Sequence, residues 1–517
     1  MTHRKNARHL ALLPLSALAL NAGCASTGGS VDTAEMVASR PNIVLVFSDD
    51  HAPAAIGAYD HITGSHLAGI ERSPNLDRLA AEGALFEEMF CGNSICCPSR
   101  ATLLTGAHSH VNGVLHNGLG LDPELDNFPK RLQAAGYKTS YFGKWHLKQD
   151  PAGFDHWERL EGQGPYYNPP MKSPGGTRKL EGYTTTLITD LALDWLDEQT
   201  EGDGDEPFLM IVGHKAPHRR WHPEPAEFDT YEDVVFPEPA TLFDDGEGRA
   251  SVFHTQTMTL ASDFYPEDVK LKGPGNLTPE QQALWDAEYG VVATEIEGLE
   301  GDDLTRYHYQ RYLEDYLACC HSLDREVGRL MDALDERGLS ENTIFVYSSD
   351  QGFYLGEHGW YDKRWMYEPS LRMPLIARWP GHIAPGTRVD GMAQNIDLAA
   401  TFCELAGAEN PELNQGTSLV PLLDGEAPDD WRGDIYYRYY GKGAHTVAPH
   451  VGVRNRAGQK LMWFHDTDEW ELYDLESDPQ EVHNRIEDPA FAEVSGELLQ
   501  RLKELAAAFG DELPPGL

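Results

Sequence analysis

The sequence predicts an α/β fold: a doubly wound, mainly parallel sheet with a smaller C-terminal α+β subdomain. Three observations carry this reading. Continuous apolar runs alternate with stretches of helical periodicity through most of the chain. Four of those runs end in charged or imidazole side chains. Beyond about residue 390 the pattern changes to that of antiparallel strands and a terminal helix.

Taken in order, the chain opens with Arg4, Lys5 and Arg8, an apolar run from Leu10 to about Leu20, then small residues and Cys24. The run is shorter than the roughly 20 apolar residues a membrane span needs, so residues 1–24 read as an export signal. Leu20 to Cys24 resembles a bacterial lipobox, with Asn21 where an aliphatic residue is usual. Both a lipid anchor at Cys24 and simple cleavage nearby stay open. The expected location is the periplasm or the cell surface. Residues 25–40 are small and polar, a tether.

The main domain is expected over 41–390. Asn42 to Phe47 is an unbroken apolar run, the mark of a strand buried on both faces, and it ends at Ser48-Asp49-Asp50-His51. Tyr137–Phe142 runs into Gly143-Lys144-Trp145-His146, Phe208–Val212 into Gly213-His214-Lys215-Ala216-Pro217-His218, and Thr343–Ser348 into Ser349-Asp350-Gln351-Gly352. Helical periodicity fills about 74–82, 126–135, 184–198 and 305–337. In doubly wound sheets ligands bind beyond the carboxyl ends of the strands, and here four such ends deliver reactive side chains. Residues 223–280, rich in Pro, Asp, Glu and Gly, read as an irregular insertion near the site. The C-terminal subdomain, 391–517, carries strands near 434–440, 450–454 and 460–464 and a helix over 491–509.

At 517 residues, 41% of them apolar, the chain can bury a large core. Its 83 acidic against 41 basic residues give a net charge of −42, which repels nucleic acid and excludes it as a partner. An anionic substrate would need positive charge gathered locally. The seven cysteines include Cys96–Cys97 and Cys319–Cys320, neither with the spacing of a zinc or redox site.

Asp49-Asp50 puts two carboxylates side by side at a strand end, an arrangement that is costly without a cation. With Asp350-Gln351 at the same sheet edge, a shared site for a hard, oxygen-liking cation is expected. The segment Cys96-Cys97-Pro98-Ser99-Arg100, followed by Thr105-Gly106, matches the Cys-x-Pro-x-Arg signature of the type I, formylglycine-dependent sulfatases. Gly143–His146, Pro217-His218, Asp350-Gln351-Gly352, Leu355–Gly359, Lys363, Arg372–Leu375 and Glu471–Leu475 also resemble that family, in order, across about residues 40–490. Bacterial polysaccharide sulfatases are the nearest in look, both N-acetylglucosamine-6-sulfatases and ulvan-type enzymes for algal polysaccharides.

The resemblance implies an alkaline-phosphatase-like fold and a sulfate ester on a sulfated carbohydrate as substrate. It implies oxidation of Cys96 to formylglycine by a formylglycine-generating or sulfatase-maturating enzyme. One hydroxyl of the hydrated aldehyde would attack sulfur and the other would collapse to release sulfate. One calcium ion would be held by Asp49, Asp50, the modified Cys96, Asp350 and Gln351. Arg100, Lys144 and Lys363 would balance developing negative charge, His218 would protonate the leaving alcohol, and His146 would assist the formylglycine hydroxyl or its later elimination. Arg220 and Arg364 are expected to contact further groups of the substrate. Two other readings are a phosphomonoester or phosphonate hydrolase on the same scaffold, and a non-catalytic protein that binds sulfated glycans.

Overall fold

The computed structural model describes residues 40–200, 206–441 and 443–517, and Arg40–Leu517 pack as one unit. The expected signal, Cys24 and the tether through residue 39 lie outside the described residues, as does most of the acidic loop after Thr200.

A ten-stranded sheet runs in the order Thr387–Val389, Ala84–Phe86, Leu375–Arg378, Thr343–Ser349, Asn42–Ser48, Phe208–Gly213, Lys138–Lys144, His156–Leu160, Pro170–Ser173, Gly176–Lys179. Its five middle strands, Thr343–Ser349 through His156–Leu160, are parallel. The strands that flank them on each side join antiparallel. The continuous apolar runs are explained by the two faces. Val44 and Val46 point into one core with Met210, Val212 and Leu323, while Ile43, Leu45 and Phe47 point into another with Leu209, Ile211 and Leu104. Helices Pro74–Glu82, Thr184–Thr200 and the 36-residue Gly301–Glu336 cover the first face; Cys96–Thr105, Phe128–Ala134 and Asp397–Ala406 cover the second.

The C-terminal antiparallel sheet, Asp434–Tyr439, His450–Asn455, Gln459–Phe464 and Glu469–Asp474, has four strands paired in sequence order. Helix Ala492–Phe509 packs Leu498, Leu502 and Leu505 on one face. The other face, with Tyr437, Met462 and Phe464, meets Trp360, Trp365 and Met366, and so props the loop that carries Lys363. The expected junction at 390/391 is corrected by this packing. Helix Asp397–Ala406 lays Leu398, Ala399 and Phe402 on the main sheet, with Phe402 5.2 Å from Phe128, so the antiparallel part begins near Asp434. An apolar helix face fills the second side of the central sheet, which local pattern cannot assign. Among the described residues no helix is long and apolar enough to cross a membrane, and the six cysteines are free and buried.

Candidate active site

The ends of the parallel strands converge on one buried cluster. Asp49 and Asp50 leave Asn42–Ser48, and Asp350 leaves its neighbour Thr343–Ser349; the Asp50 N–H donates to Asp350 Oδ1 at 3.1 Å. Cys96 is the first residue of helix Cys96–Thr105, and its Sγ lies 4.0 Å from Asp50 Oδ1. Asp49, Asp50, Cys96 and Asp350, all buried, each offer an atom within 4.8 Å of the others.

Cations surround these carboxylates. Arg100, one helical turn after Cys96, donates Nε to Asp350 Oδ2 at 3.1 Å, and its other nitrogens bond the carbonyls of Lys144 (2.9 Å) and Ser48 (3.2 Å). Lys144 Nζ binds Asp49 Oδ2 and Gln163 Oε1. Lys363 Nζ binds Asp50 Oδ1 and sits 5.6 Å above the Phe353 ring. In a chain of charge −42, positive charge has been gathered here.

Burial opposes the negative charge on Asp49, but Lys144, His218 and Arg100 outweigh it and hold that carboxyl well below its usual range. At Asp50 burial, helped by the charge of Asp49, wins over Lys363 and raises the carboxyl. Burial and the Asp49 charge push Asp350 up to about 8 despite Arg100. Three cations face these three carboxylates, yet some acceptor atoms stay without a partner. Asp49 Oδ1, Asp50 Oδ2 and Gln351 Oε1 are buried with no hydrogen-bond partner. Gln351 turns its amide nitrogen to Asp50, which leaves its oxygen free. An all-oxygen donor set with orphaned acceptors suits a hard divalent cation such as calcium.

The thiol of Cys96 is pushed well up by burial and by the charge of Asp49. His218 donates Nδ1–H to the Arg219 carbonyl at 2.6 Å, so Nε2 presents its lone pair 3.7 Å from Asp50 Oδ2; burial holds this imidazole well below its ordinary value. His146 accepts from the Gln163 amide at 3.4 Å, and burial, with Lys144 adding, lowers it to about 2.

The structure thus brings Asp49, Asp50, Cys96, Arg100, Lys144, His146, His218, Asp350, Gln351 and Lys363 together. Arg364 and Arg220 lie outside the carboxylate cluster. Arg364 is buried and bonds Asp362, whose other oxygen is 3.2 Å from His445 Nε2. Arg220, 38% exposed, pairs with Glu267 at 2.7 Å. Three residues of the site escaped the sequence reading. Gln163 stands in a turn with no motif around it. Lys215 is buried 4.7 Å over the Tyr166 ring, and burial with the Lys144 charge lowers it to about 8. Asp362 adjoins Lys363 in sequence, a signal that could have found it.

The family model described as Sulfatase matches residues 41–408, and that described as N-sulphoglucosamine sulphohydrolase, C-terminal, matches 356–508. An N-acetylglucosamine-6-O-sulfatase of Bacteroides thetaiotaomicron is 40% identical over 97% of this chain and 91% of its own. An ulvan-active sulfatase of Formosa agariphila is 26% identical over 92% of this chain and 82% of its own. A solved structure described as a complex with its substrate D-glucosamine-2-N,6-O-disulfate superimposes with a TM-score of 0.87 at 40% identity, covering 92% of this chain and 99% of that one.

Proposed function

The chain belongs to the sulfatase family, and from that premise we propose that it removes the 6-O-sulfate of a glucosamine residue in a sulfated glycosaminoglycan or an oligosaccharide derived from one. It is a sulfuric ester hydrolase: ester and water become alcohol and sulfate. The relative at 40% identity and the disulfated glucosamine in the similar solved structure support the choice of sugar and position.

The observation that carries the mechanism is the setting of Cys96. It opens helix Cys96–Thr105 at the carboxyl edge of the sheet, with its Sγ 4.0 Å from Asp50 Oδ1 and within 4.8 Å of ligand atoms of Asp49 and Asp350. The reading therefore makes Cys96 the residue that a maturation enzyme oxidises to formylglycine, whose hydrated aldehyde supplies one hydroxyl to attack sulfur and a second to expel sulfate. Calcium, when bound by Asp49, Asp50, Asp350 and Gln351, supplies a Lewis acid at a sulfate oxygen.

The remaining work falls to the chain's own side chains. Lys144, Lys363 and Lys215 hold the anionic ester against the repulsion of the whole surface, and Arg100 fixes the strand ends around it. Burial lowers the His218 imidazole; the charge of the entering sulfate raises its affinity for a proton, which it takes from water and gives to the departing alcohol oxygen. His146, oriented by the Gln163 amide, assists the hydroxyl at position 96. Arg364, through Asp362, and Arg220, at the rim, contact the sugar. The apolar run and Cys24 support export to the periplasm or cell surface, where such glycans are met.

The test is release of inorganic sulfate from glucosamine 6-sulfate and N-acetylglucosamine 6-sulfate by protein co-expressed with a formylglycine-generating enzyme, with the mass of the Cys96 peptide read in parallel. Release from 6-sulfated sugars and not from 2-O- or 4-O-sulfated ones is expected. Phosphate release from the matching 6-phosphate, without sulfate release, would replace this reading with that of a phosphoester hydrolase.

A further inference from the structure

We propose that Tyr265 is the floor of a second sugar subsite, on which the pyranose ring linked to the sulfated one stacks. This rests on the carbohydrate reading above. Tyr265 is 53% exposed, one of the few large apolar side chains that the described residues leave in solvent. Its neighbour Phe264 turns inward against Tyr361, Tyr312 and Trp221, with ring centroids 4.8, 5.9 and 5.9 Å away. The Tyr265 N–H donates to Asp268 Oδ2 at 2.7 Å, and Asp268 accepts both Nε and NH2 of Arg219. The aromatic ring is thus held on a short, anchored turn rather than on a free loop.

Its place relative to the chemistry follows from Arg219. That guanidinium lies between two rings, 4.8 Å from the Tyr265 centroid and 4.7 Å from that of Tyr361. Arg219 directly follows His218, the group whose Nε2 faces the carboxylate cluster, and its NH1 is 3.4 Å from His445, which leads through Asp362 to Lys363. Tyr265 therefore stands at the rim on the side of the proton donor. A sulfate ester seated on Cys96 sends its alcohol toward that donor, so the sugar, and whatever is linked to it, extends over this rim. The guanidiniums of Arg219 and Arg220 lie 4.8 and 5.5 Å from the ring centroid, and Tyr265 is still half exposed. A fixed, half-exposed ring is what a pyranose packs on, because its axial C–H surface is apolar while its hydroxyls stay in water.

The experiment compares kcat/KM for a 6-sulfated glucosamine monosaccharide and for a disaccharide that carries the same sulfated residue at its non-reducing end. Tyr265→Ala should lower the disaccharide value about tenfold, through KM, while the monosaccharide value stays within about twofold. Tyr265→Phe should keep the disaccharide value, since the ring and not the hydroxyl makes the contact. Equal losses on both substrates, no loss on the disaccharide, or a Phe variant as poor as the Ala variant would each overturn the proposal. Wild-type enzyme that frees sulfate from neither compound would overturn the carbohydrate reading itself and this one with it.

Discussion

Arg100 reaches Asp350 with an Nε–H···Oδ2 bond of 3.1 Å, and in doing so a residue one turn into the Cys96 helix binds the end of a strand 250 residues away in sequence. The same guanidinium holds the carbonyls of Ser48 and Lys144. Three strand ends and the helix of the nucleophile are thereby set by one planar fork.

Replacing Arg100 by lysine keeps the charge and loses the fork. At least one of the three acceptors is then buried without a donor, at a cost of about 1–3 kcal/mol. Arg100→Lys should lower the midpoint of chemical denaturation by a matching amount and reduce kcat at least tenfold. A lysine variant of full stability would show that the carbonyl bonds contribute nothing.

Chelation should act on stability as well as on turnover. Without a cation, Asp49, Asp50 and Asp350 repel one another and their free oxygens stay orphaned. Calcium at a hundredfold excess over its Kd should add about 3 kcal/mol, read as a rise in thermal midpoint over the EDTA-treated protein. The rise should vanish in Asp350→Asn.

For His218 the discriminating variable is the leaving group. Sugar alkoxides leave only when protonated, whereas activated phenolates leave unaided. His218→Ala should therefore cost about 10²–10⁴-fold on a sugar sulfate and less than tenfold on an activated aryl sulfate. Equal losses on the two would remove His218 from the role of proton donor.

Gln163 acts through Lys144 and His146, which it bonds from either end of its amide. Gln163→Ala should lower kcat about tenfold with little change in thermal midpoint, because the side chain is only partly buried. Gln163→Glu keeps the Lys144 contact but offers no N–H to His146. It should recover part of the loss and alter the pH profile of kcat.

The stability that Glu357 contributes should fall as pH rises from about 4.5 to 7. Burial pushes the Glu357 carboxyl up to about 7, against the pull of the Leu355 N–H at 2.6 Å, and its side chain is only 20% exposed. The folded chain keeps a proton in this window that the unfolded chain releases, so the contribution of Glu357 declines by up to about 1.4 kcal/mol per pH unit and levels off above pH 7. Glu357→Gln should flatten the thermal midpoint over this range. An unchanged slope would mean that the group is ionised in the fold.

Much of this protein is written locally. The runs at 43–47, 208–212 and 344–346 are apolar at every position because both faces of the central strands are covered, and that pattern marks a parallel sheet. Asp49, Asp50 and Asp350 could be placed together because such a sheet aligns its carboxyl ends, whereas Cys96 and Arg100 were legible only through the Cys-x-Pro-x-Arg signature they carry. What only the tertiary structure decided depends on segments distant in sequence. The short flanking strands, from Ala84–Phe86 to Gly176–Lys179, are too brief for any period to show and form only against neighbours already in place. Asp397–Ala406 reads equally well as part of either domain until its apolar face meets the main sheet. Arg219 and Arg220 are the clearest case. They are adjacent and chemically identical, yet one is 11% exposed in a bidentate pair with the buried Asp268 and the other is 38% exposed beside Glu267. Burial and the position of a partner set their roles, and both are properties of the packed chain, not of the residues themselves.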